Sequence, residues 1–246
     1  MKKLFFLAAT MCAAMAMNAA EPVVKELTDY ANYIDFQALY NADPTLTTKT
    51  AEGSDAFVEL PNGTKLYGYT KADGSIAKFQ WNTKEKYNTM LPTPSWDGVD
   101  SVNVGTMWRA DSGLKMVLGA FKTTADGKLR VFYQPNGDSE RGVSISVYGG
   151  TPVEFKGSGA KLAGVRPAYV AEVDLEADSY DAGDVVITLI SNTSNIFGVG
   201  IENLVGGSTN LETISPDDVK SNRMIVNGVM YVWDSAKQAW VNVLGF

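Results

Sequence analysis

The stretch DGKLRVFYQPNGDSERGVSISVY, residues 126–148, carries the pattern that decides the fold. Asp126-Gly127 and Asn136-Gly137 are turn dipeptides, because they supply the positive φ angles that tight hairpin turns require. Between them, side chains at 128–134 alternate along the chain, and a second alternating run follows at 143–148. A period of two is typical of a strand with one buried face. The stretch therefore predicts two strands joined by a turn.

The same alternation of strands and turns covers most of the chain. Asn62-Gly63 and Asp73-Gly74 supply two further turns. Residues 30–39 are ambiguous between helix and strand, and beyond the first twenty residues no other segment has a convincing helical period. The sequence predicts an all-β antiparallel sandwich, with further strands at 56–60, 65–69, 75–81, 169–175, 184–190 and 196–204.

The N-terminus predicts a secretory signal peptide over residues 1–20. Lys2 and Lys3 precede an apolar run at 4–16, and cleavage sites with small residues are offered by Ala14-Met15-Ala16 and by Ala19-Ala20. The alternative is a buried N-terminal helix. Cleavage after Ala20 would remove Cys12, the single cysteine, and leave an exported chain without disulfides. The expected location is the periplasm, the cell surface or the extracellular medium, and no later apolar run is long enough for a membrane span.

The rest of the chain divides into a β-sandwich domain at 21–205 and a linker with a C-terminal β-hairpin at 206–246. Small and polar residues at 206–210 predict the linker. Strands at 223–226 and 229–233 flank the turn dipeptide Asn227-Gly228, and a third strand is predicted at 240–244. We expect Trp233 and Trp240 to pair across this sheet.

Composition excludes several classes of function. The 246 residues include no histidine, 21 Lys and Arg, and 28 Asp and Glu, for a net charge of −7. Without histidine or a mature cysteine, Ser-His-Asp and Cys-His catalysis and His-ligated metals are excluded. The acidic balance predicts no nucleic-acid binding. Catalysis by two carboxylates stays open, because nothing in the spacing selects a pair.

Residues 128–204 resemble the galactose-binding-like, carbohydrate-binding jelly-roll sandwiches of secreted bacterial proteins. The resemblance is carried in order by LRVFY and GVSISVY, then YVAEVDL, then DAGDVVITL followed by IFGVGI. It implies a jelly-roll fold and a glycan ligand. The ending VNVLGF resembles the C-terminal sorting hairpins of exported proteins in Gram-negative gut anaerobes. Whether this segment sorts, anchors or only packs stays open.

Aromatic and polar residues in loops predict a ligand site at one end of the sandwich. Trp96 lies in a loop and is the expected stacking platform, with Asp97 and Arg109 orienting sugar hydroxyls. Trp108 is a second aromatic candidate, and the margin of the site is formed by Arg141 and Asn195. In the alternative interpretation Trp96 plugs the sandwich end, Trp108 is a core residue, and Arg141 forms a salt bridge with Asp138 or Glu140.

An acidic loop is the one candidate for a bound ion. Oxygen ligands at this density suit a structural Ca²⁺, and the candidates are Asp174, Asp178, Asp181 and Asp184. The alternative is a solvated acidic loop, because alternation along a strand sends some of these carboxylates to opposite faces. No other cofactor is predicted.

Three functions remain to be distinguished. The first is a non-enzymatic glycan-binding protein of the bacterial cell envelope, expected to show exposed coplanar rings at a sandwich end. The second is a structural or adhesive surface protein with a protein partner, expected to show a broad apolar patch. The third is a small polysaccharide hydrolase or lyase, expected to show converging carboxylates with a raised pKa on one of them.

Overall fold

The computed structural model describes residues 24–27, 30–53, 55–83, 89–92, 101–161, 164, 166–205, 223–226, 229–234 and 239–242. The predicted signal peptide lies outside these residues. The described residues form twenty strands, one α-helix and one short 3-10 helix. The strands are β1 (Val24–Glu26), β2 (Ile34–Asp35), β3 (Phe57–Glu59), β4 (Lys65–Tyr67), β5 (Phe79–Asn82), β6 (Thr89–Pro92), β7 (Ser101–Asn103), β8 (Met107–Ala110), β9 (Lys115–Val117), β10 (Phe121–Lys122), β11 (Gly127–Pro135), β12 (Glu140–Val147), β13 (Val153–Ser158), β14 (Pro167–Leu175), β15 (Ser179–Tyr180), β16 (Val185–Ile190), β17 (Ser194–Ile201), β18 (Arg223–Val226), β19 (Val229–Asp234) and β20 (Ala239–Asn242).

Eight strands in two sheets give the fold its topology. Sheet 1 contains the order β8-β17-β11-β14, and sheet 2 contains the order β9-β16-β12-β13. Every pair in both orders is antiparallel. Along the chain these strands change sheets at every connection except that from β12 to β13. This is the connectivity of a jelly-roll sandwich, so the predicted fold class is confirmed.

Most of the remaining strands extend the two sheets at their edges, whereas β2 pairs with β17 within sheet 1. Strand β5 pairs with β8 at one edge of sheet 1, and β6, β7 and β1 continue from β14 at the other. Strands β4 and β3 continue sheet 2 beyond β9. A separate pair joins β10 to β15. The predicted runs match β11, β12, β14, β16 and β17 in the center of the sandwich and β3, β4 and part of β5 toward its edges, and most of the strands that were not predicted are short.

The core lies between the sheets and follows the alternation in the sequence. Leu129 and Val131 of β11 pack in one apolar cluster with Val143 and Ile145 of β12. These four side chains are buried, while the intervening Arg130 is partly exposed. Burial of this apolar surface is the main stabilising contribution expected for a chain with no disulfides.

A short helical segment occupies the region that the sequence left ambiguous. Helix α1 spans Phe36–Ala42, and a 3-10 helix follows at Pro44–Thr48. The Asp35 carboxylate accepts hydrogen bonds from the backbone N–H groups of Gln37 and Ala38, which caps α1. Phe36 and Leu39 are buried. A helix of two turns buries too few residues to show a clear helical period.

The C-terminal strands form a three-stranded sheet in the order β18-β19-β20. Trp233 pairs with Trp240 in its register, as predicted. Val226 pairs with Val229 across β18 and β19. The predicted turn at 227–228 lies outside the described part of the chain. Among the described helices, none combines the length and apolar character that crossing a bilayer requires.

Candidate functional site

The antiparallel strands place the loops at two opposite ends of the sandwich. The loops after β8, β11 and β16 meet at one end, which we call the arginine end after Arg109 and Arg141. The loops after β9, β12 and β14 meet at the other, which we call the tyrosine end after Tyr148 and Tyr180.

Three of the predicted site residues come together at the arginine end. The side-chain oxygen of Asn136, in the amide orientation that satisfies its neighbours, accepts from Arg109 Nε at 2.9 Å and Nη2 at 2.7 Å. Arg141 donates to the backbone carbonyl of the same Asn136. Asn195 pairs with Arg109 across the strands and donates to Gln134 Oε1 at 2.6 Å.

Arg141 supports the loops of this end through backbone contacts. Besides Asn136, its Nη1 donates to the carbonyl of Thr193 at 3.2 Å. The local salt bridge considered for it is absent from the described residues, because Asp138 instead pairs with Arg166 at 3.1 Å. Arg141 therefore ties the loop after β11 to the loop after β16.

Asp111 connects the loop that holds Thr193 with the segment that holds Lys71 and Lys78. Its carboxylate accepts from Thr193 Oγ1 at 2.5 Å and from the Lys78 backbone N–H at 3.0 Å, and Lys71 Nζ lies 3.5 Å away. Desolvation opposes the charged form, but these hydrogen bonds and the charge of Lys71 together lower the pKa of Asp111. The polar groups of Asp111, Thr193 and Arg141 are thus largely occupied by one another.

Of the two tryptophans predicted for the site, Trp108 lies within the described residues and Trp96 does not. Trp108 is fully buried, and its ring meets Phe79 edge to face with centroids 5.7 Å apart. Its indole offers no face to a ligand, which matches the interpretation of Trp108 as a core residue. Trp96 and Asp97 lie outside the described residues.

The tyrosine end carries a stack of three aromatic rings that reaches solvent. Tyr148 is 51% exposed. Its ring lies nearly parallel to that of Tyr180, at a centroid distance of 5.0 Å and an angle of 15°. Tyr180 stacks in turn on Phe121 at 4.5 Å and 13°. One face of Tyr148 is therefore covered by a buried ring, and the opposite face is open.

Backbone and side-chain contacts fix the Tyr148 ring in place. Tyr148 and Gly149 have φ angles of 50° and 65°, and the Gly150 N–H donates to the Val147 carbonyl at 2.9 Å, as in a type I′ turn. The Tyr148 hydroxyl donates to Asp178 Oδ2 at 3.0 Å, and the Tyr148 N–H donates to the Asp184 carbonyl at 2.7 Å. Desolvation, followed by the contact with Asp178, raises the pKa of Tyr148.

Sequence reasoning placed Tyr148 among strand residues of the core or sheet face. The strand ends at Val147, and Tyr148 is the first central residue of the turn. The one local signal was the following pair Gly149-Gly150, which is typical of a turn. A tyrosine at positive φ is unusual, since this conformation favours Gly, Asn and Asp.

The four aspartates proposed for Ca²⁺ do not converge. Asp174 pairs with Lys128 at 3.0 Å, and Asp178 binds the Tyr148 hydroxyl and the Ser179 N–H. Asp184 Oδ2 accepts from the Asp181 N–H at 2.6 Å. Over the residues that the structure describes, no group of three or more acidic side chains is arranged to hold a metal ion. These four acids instead make the surface around the tyrosine end negative, and we call this surface the rim of that end.

Comparison with known proteins gives structural likenesses at low similarity. No family model matches the chain, and no curated protein matches its sequence. Among similar solved structures is the K1 adhesin domain of Lys-gingipain from Porphyromonas gingivalis, with 11% identity, a TM-score of 0.33, and coverage of 61% of this chain and 95% of that one. TmCBM61 in complex with β-1,4-galactotriose has 8% identity and a TM-score of 0.29, covering 56% of this chain and 86% of that one.

A third similar structure belongs to an enzyme. The exo-β-1,3-galactanase of Phanerochaete chrysosporium has 12% identity and a TM-score of 0.30, with coverage of 51% of this chain. The match spans 29% of the galactanase.

Proposed function

We propose that this chain is an exported, non-enzymatic glycan-binding protein of the bacterial cell envelope, and that Tyr148 is its stacking platform. The observation that carries the proposal is the stack of Tyr148, Tyr180 and Phe121, which ends in one open aromatic face at an end of the sandwich. The feature expected of glycan binding was a set of exposed coplanar rings at a sandwich end; here one ring, Tyr148, is exposed and the two rings coplanar with it are buried.

The chemistry of the tyrosine end favours a neutral sugar. The apolar face of a pyranose can cover the open side of the Tyr148 ring. Exposed carboxylates of Asp178 and Asp181 lie on the rim and accept hydrogen bonds from sugar hydroxyls. The same charges repel an acidic sugar. By analogy with base–aromatic stacking, the contact is worth about 1–3 kcal/mol.

The strained backbone at Tyr148 supports a role for its side chain. A non-glycine residue in the left-handed region costs about 1–2 kcal/mol, and such residues cluster at functional sites. Asn or Gly at this turn position would avoid most of that cost. A tyrosine here is explained if the open ring is used.

The carboxyl groups give no comparable support to a hydrolase. A general acid needs a raised pKa, whereas the resolved shifts of carboxyl groups in the described residues, at Asp43, Asp73 and Asp111, are all downward. For an adhesive protein, the exposed large apolar side chains of the described residues would need to form one patch. Two of them, Phe57 on β3 and Val153 on β13, instead lie at opposite edges of sheet 2.

A glycan array with the mature chain, followed by calorimetry on the best neutral ligand, tests the proposal. Tyr148→Ala should weaken binding about ten- to a hundredfold, because about 1.4 kcal/mol is tenfold. The matched control is Tyr69→Ala, which removes another exposed tyrosine, near the arginine end. No neutral ligand on the array, or equal losses in the two variants, would contradict the proposal.

Export is tested separately. The paired lysines and the apolar run at 4–16 predict that the protein recovered from its native host begins between Met17 and Glu21. N-terminal sequencing measures this directly. An intact Met1 in the mature protein would show that residues 1–20 are not a cleaved signal.

A further inference from the structure

A shallow pocket of about 390 Å³ lies beside β5, the edge strand of sheet 1. One wall is the end of the 3-10 helix with the chain that follows it, and the other is β5 with the neighbouring strand β8. The lining includes Thr47, Thr48, Lys49, Gln80, Trp81 and Arg109.

The lining is basic although the protein as a whole is acidic. It contains two cations, Lys49 and Arg109, and no carboxylate. Arg109 forms no ion pair with any residue that the structure describes. Asn136 occupies its Nε and one N–H of Nη2, which leaves other N–H donors of the guanidinium for a ligand. Asp43 is the acid near Lys49. Its pKa is lowered mainly by its hydrogen bond from Thr45 and least by the charge of Lys49, so the electrostatic contact between Asp43 and Lys49 is weak.

The aromatic ring of the pocket is held in a fixed position. Trp81 Nε1 donates to the Lys49 carbonyl at 3.1 Å. The indole also meets Phe36 edge to face, with centroids 5.4 Å apart and an angle of 66°. Trp81 is partly buried and follows Gln80 on β5, so its side chain lies on the opposite face of this edge strand from Gln80 and lines the pocket at the edge of the sheet.

Polar groups complete the lining. Gln80 is exposed and pairs directly with Arg109 across β5 and β8, so the two side chains leave the sheet on the same face. The hydroxyls of Thr47 and Thr48 donate to carbonyls within the 3-10 helix at 2.8 and 2.7 Å, and their oxygens can still accept.

From this combination we propose that the pocket binds a sugar that bears a carboxylate, namely a uronic acid residue of a glycan. The donors that Asn136 leaves free on Arg109, at Nη1 and Nη2, match a carboxylate in geometry and charge. Gln80 and the threonine hydroxyls bind the hydroxyl groups of the sugar, and Trp81 bounds the site at the edge of the sheet. The pocket is a second site, independent of Tyr148, and its preference for charge is the opposite of that of the tyrosine end.

Calorimetry with trigalacturonate and its fully methyl-esterified form tests the carboxylate without changing the sugar rings. The wild-type chain should bind the acid about tenfold or more tightly than the ester. Arg109→Gln should abolish that preference, and Arg109→Lys should retain part of it, because lysine keeps the charge and loses the fork. The melting midpoint of each variant verifies that it is folded.

The controls separate site binding from general charge. Lys128→Gln makes the same charge change at the tyrosine end of β11 and should leave trigalacturonate binding unchanged. Equal binding of acid and ester, absence of binding to the acid, or an equal loss in Lys128→Gln would overturn the proposal. Equal affinity for a triglutamate peptide would also overturn it, because the site would then recognise carboxylates without the sugar. Tyr148→Ala should not affect trigalacturonate, so failure of the two sites can be distinguished.

Discussion

The two ends of the sandwich use polar and aromatic residues in opposite ways. At the arginine end, Arg141 and Asp111 bind the loops around Thr193, and the tryptophan of this region, Trp108, is buried. At the tyrosine end, the aromatic stack is open on one side and the surrounding carboxylates are exposed. Arg141 and Asp111 are thus used in contacts within the protein, whereas the ring of Tyr148 keeps a surface that no other residue of its stack covers.

The largest effect expected from this difference is at Trp108. Trp108→Ala should destabilise the protein by about 3–5 kcal/mol, because it leaves a cavity in the core. Chemical denaturation of the wild type and the variant measures the difference. Tyr148→Ala, at the other end, should cost about 0.5–1.5 kcal/mol through the lost stacking on Tyr180. Equal costs at the two positions would remove the distinction between a buried and an open aromatic.

An intermediate effect is expected at Asp111. Asp111→Asn should destabilise the protein by about 1–3 kcal/mol through weakened hydrogen bonds to Thr193 and the Lys78 N–H. Because folding lowers the pKa of Asp111, its ionised form adds stability above the unfolded-state pKa of about 3.9, and this contribution is lost as pH falls through the folded-state pKa. The wild type should therefore lose more stability than Asp111→Asn between pH 5 and pH 2.

A matched control sharpens this result. The side chain of Asp174 is 90% exposed, so Asp174→Asn should keep the pH dependence of the wild type. If Asp111→Asn showed the same pH dependence as the wild type, the network at the arginine end would not depend on the charge of Asp111.

The smallest effect on stability is expected from Tyr148→Asn. Asparagine tolerates positive φ better than tyrosine, and this gain offsets the lost stacking, so the free energy of unfolding should change by less than about 1 kcal/mol. Neutral-glycan binding should nevertheless fall about tenfold or more. Denaturation and calorimetry on the same sample measure both quantities. Retained binding would show that the aromatic ring is not the platform.

Most of the long strands were predictable because alternating or continuous apolar residues in the local sequence indicate the burial of a strand. The run at 169–175 corresponds to β14 at Pro167–Leu175, and the run at 143–148 to β12 at Glu140–Val147. Strand β13 was missed because most of its side chains are exposed, which leaves no alternation to detect. Helix α1 was missed because it is short and is stabilised by the Asp35 cap and by packing.

The site was less predictable than the fold because its contacts join distant positions. Arg141 reaches the carbonyl of Thr193, 52 residues away, so its neighbours Asp138 and Glu140 were misleading candidates. Tyr148 lies in the turn after β12, whereas its partner Tyr180 lies on β15, 32 residues further along the chain. Period-two alternation assigned Tyr148 to the strand, and no residue preference predicts a tyrosine at a φ of 50°.

The aromatic stack has a consequence for the motion of its central ring. Tyr180 has Phe121 on one face and Tyr148 on the other, both nearly coplanar with it. A phenol ring that rotates by half a turn must pass through an orientation perpendicular to its neighbours, so Tyr180 can flip only when both of them make room. Tyr148 has a stacked ring on one side alone, so its flip requires a displacement on that side only. A sugar seated on its open face would give it the same confinement as Tyr180, and the slowing of this rotation would mark an occupied platform.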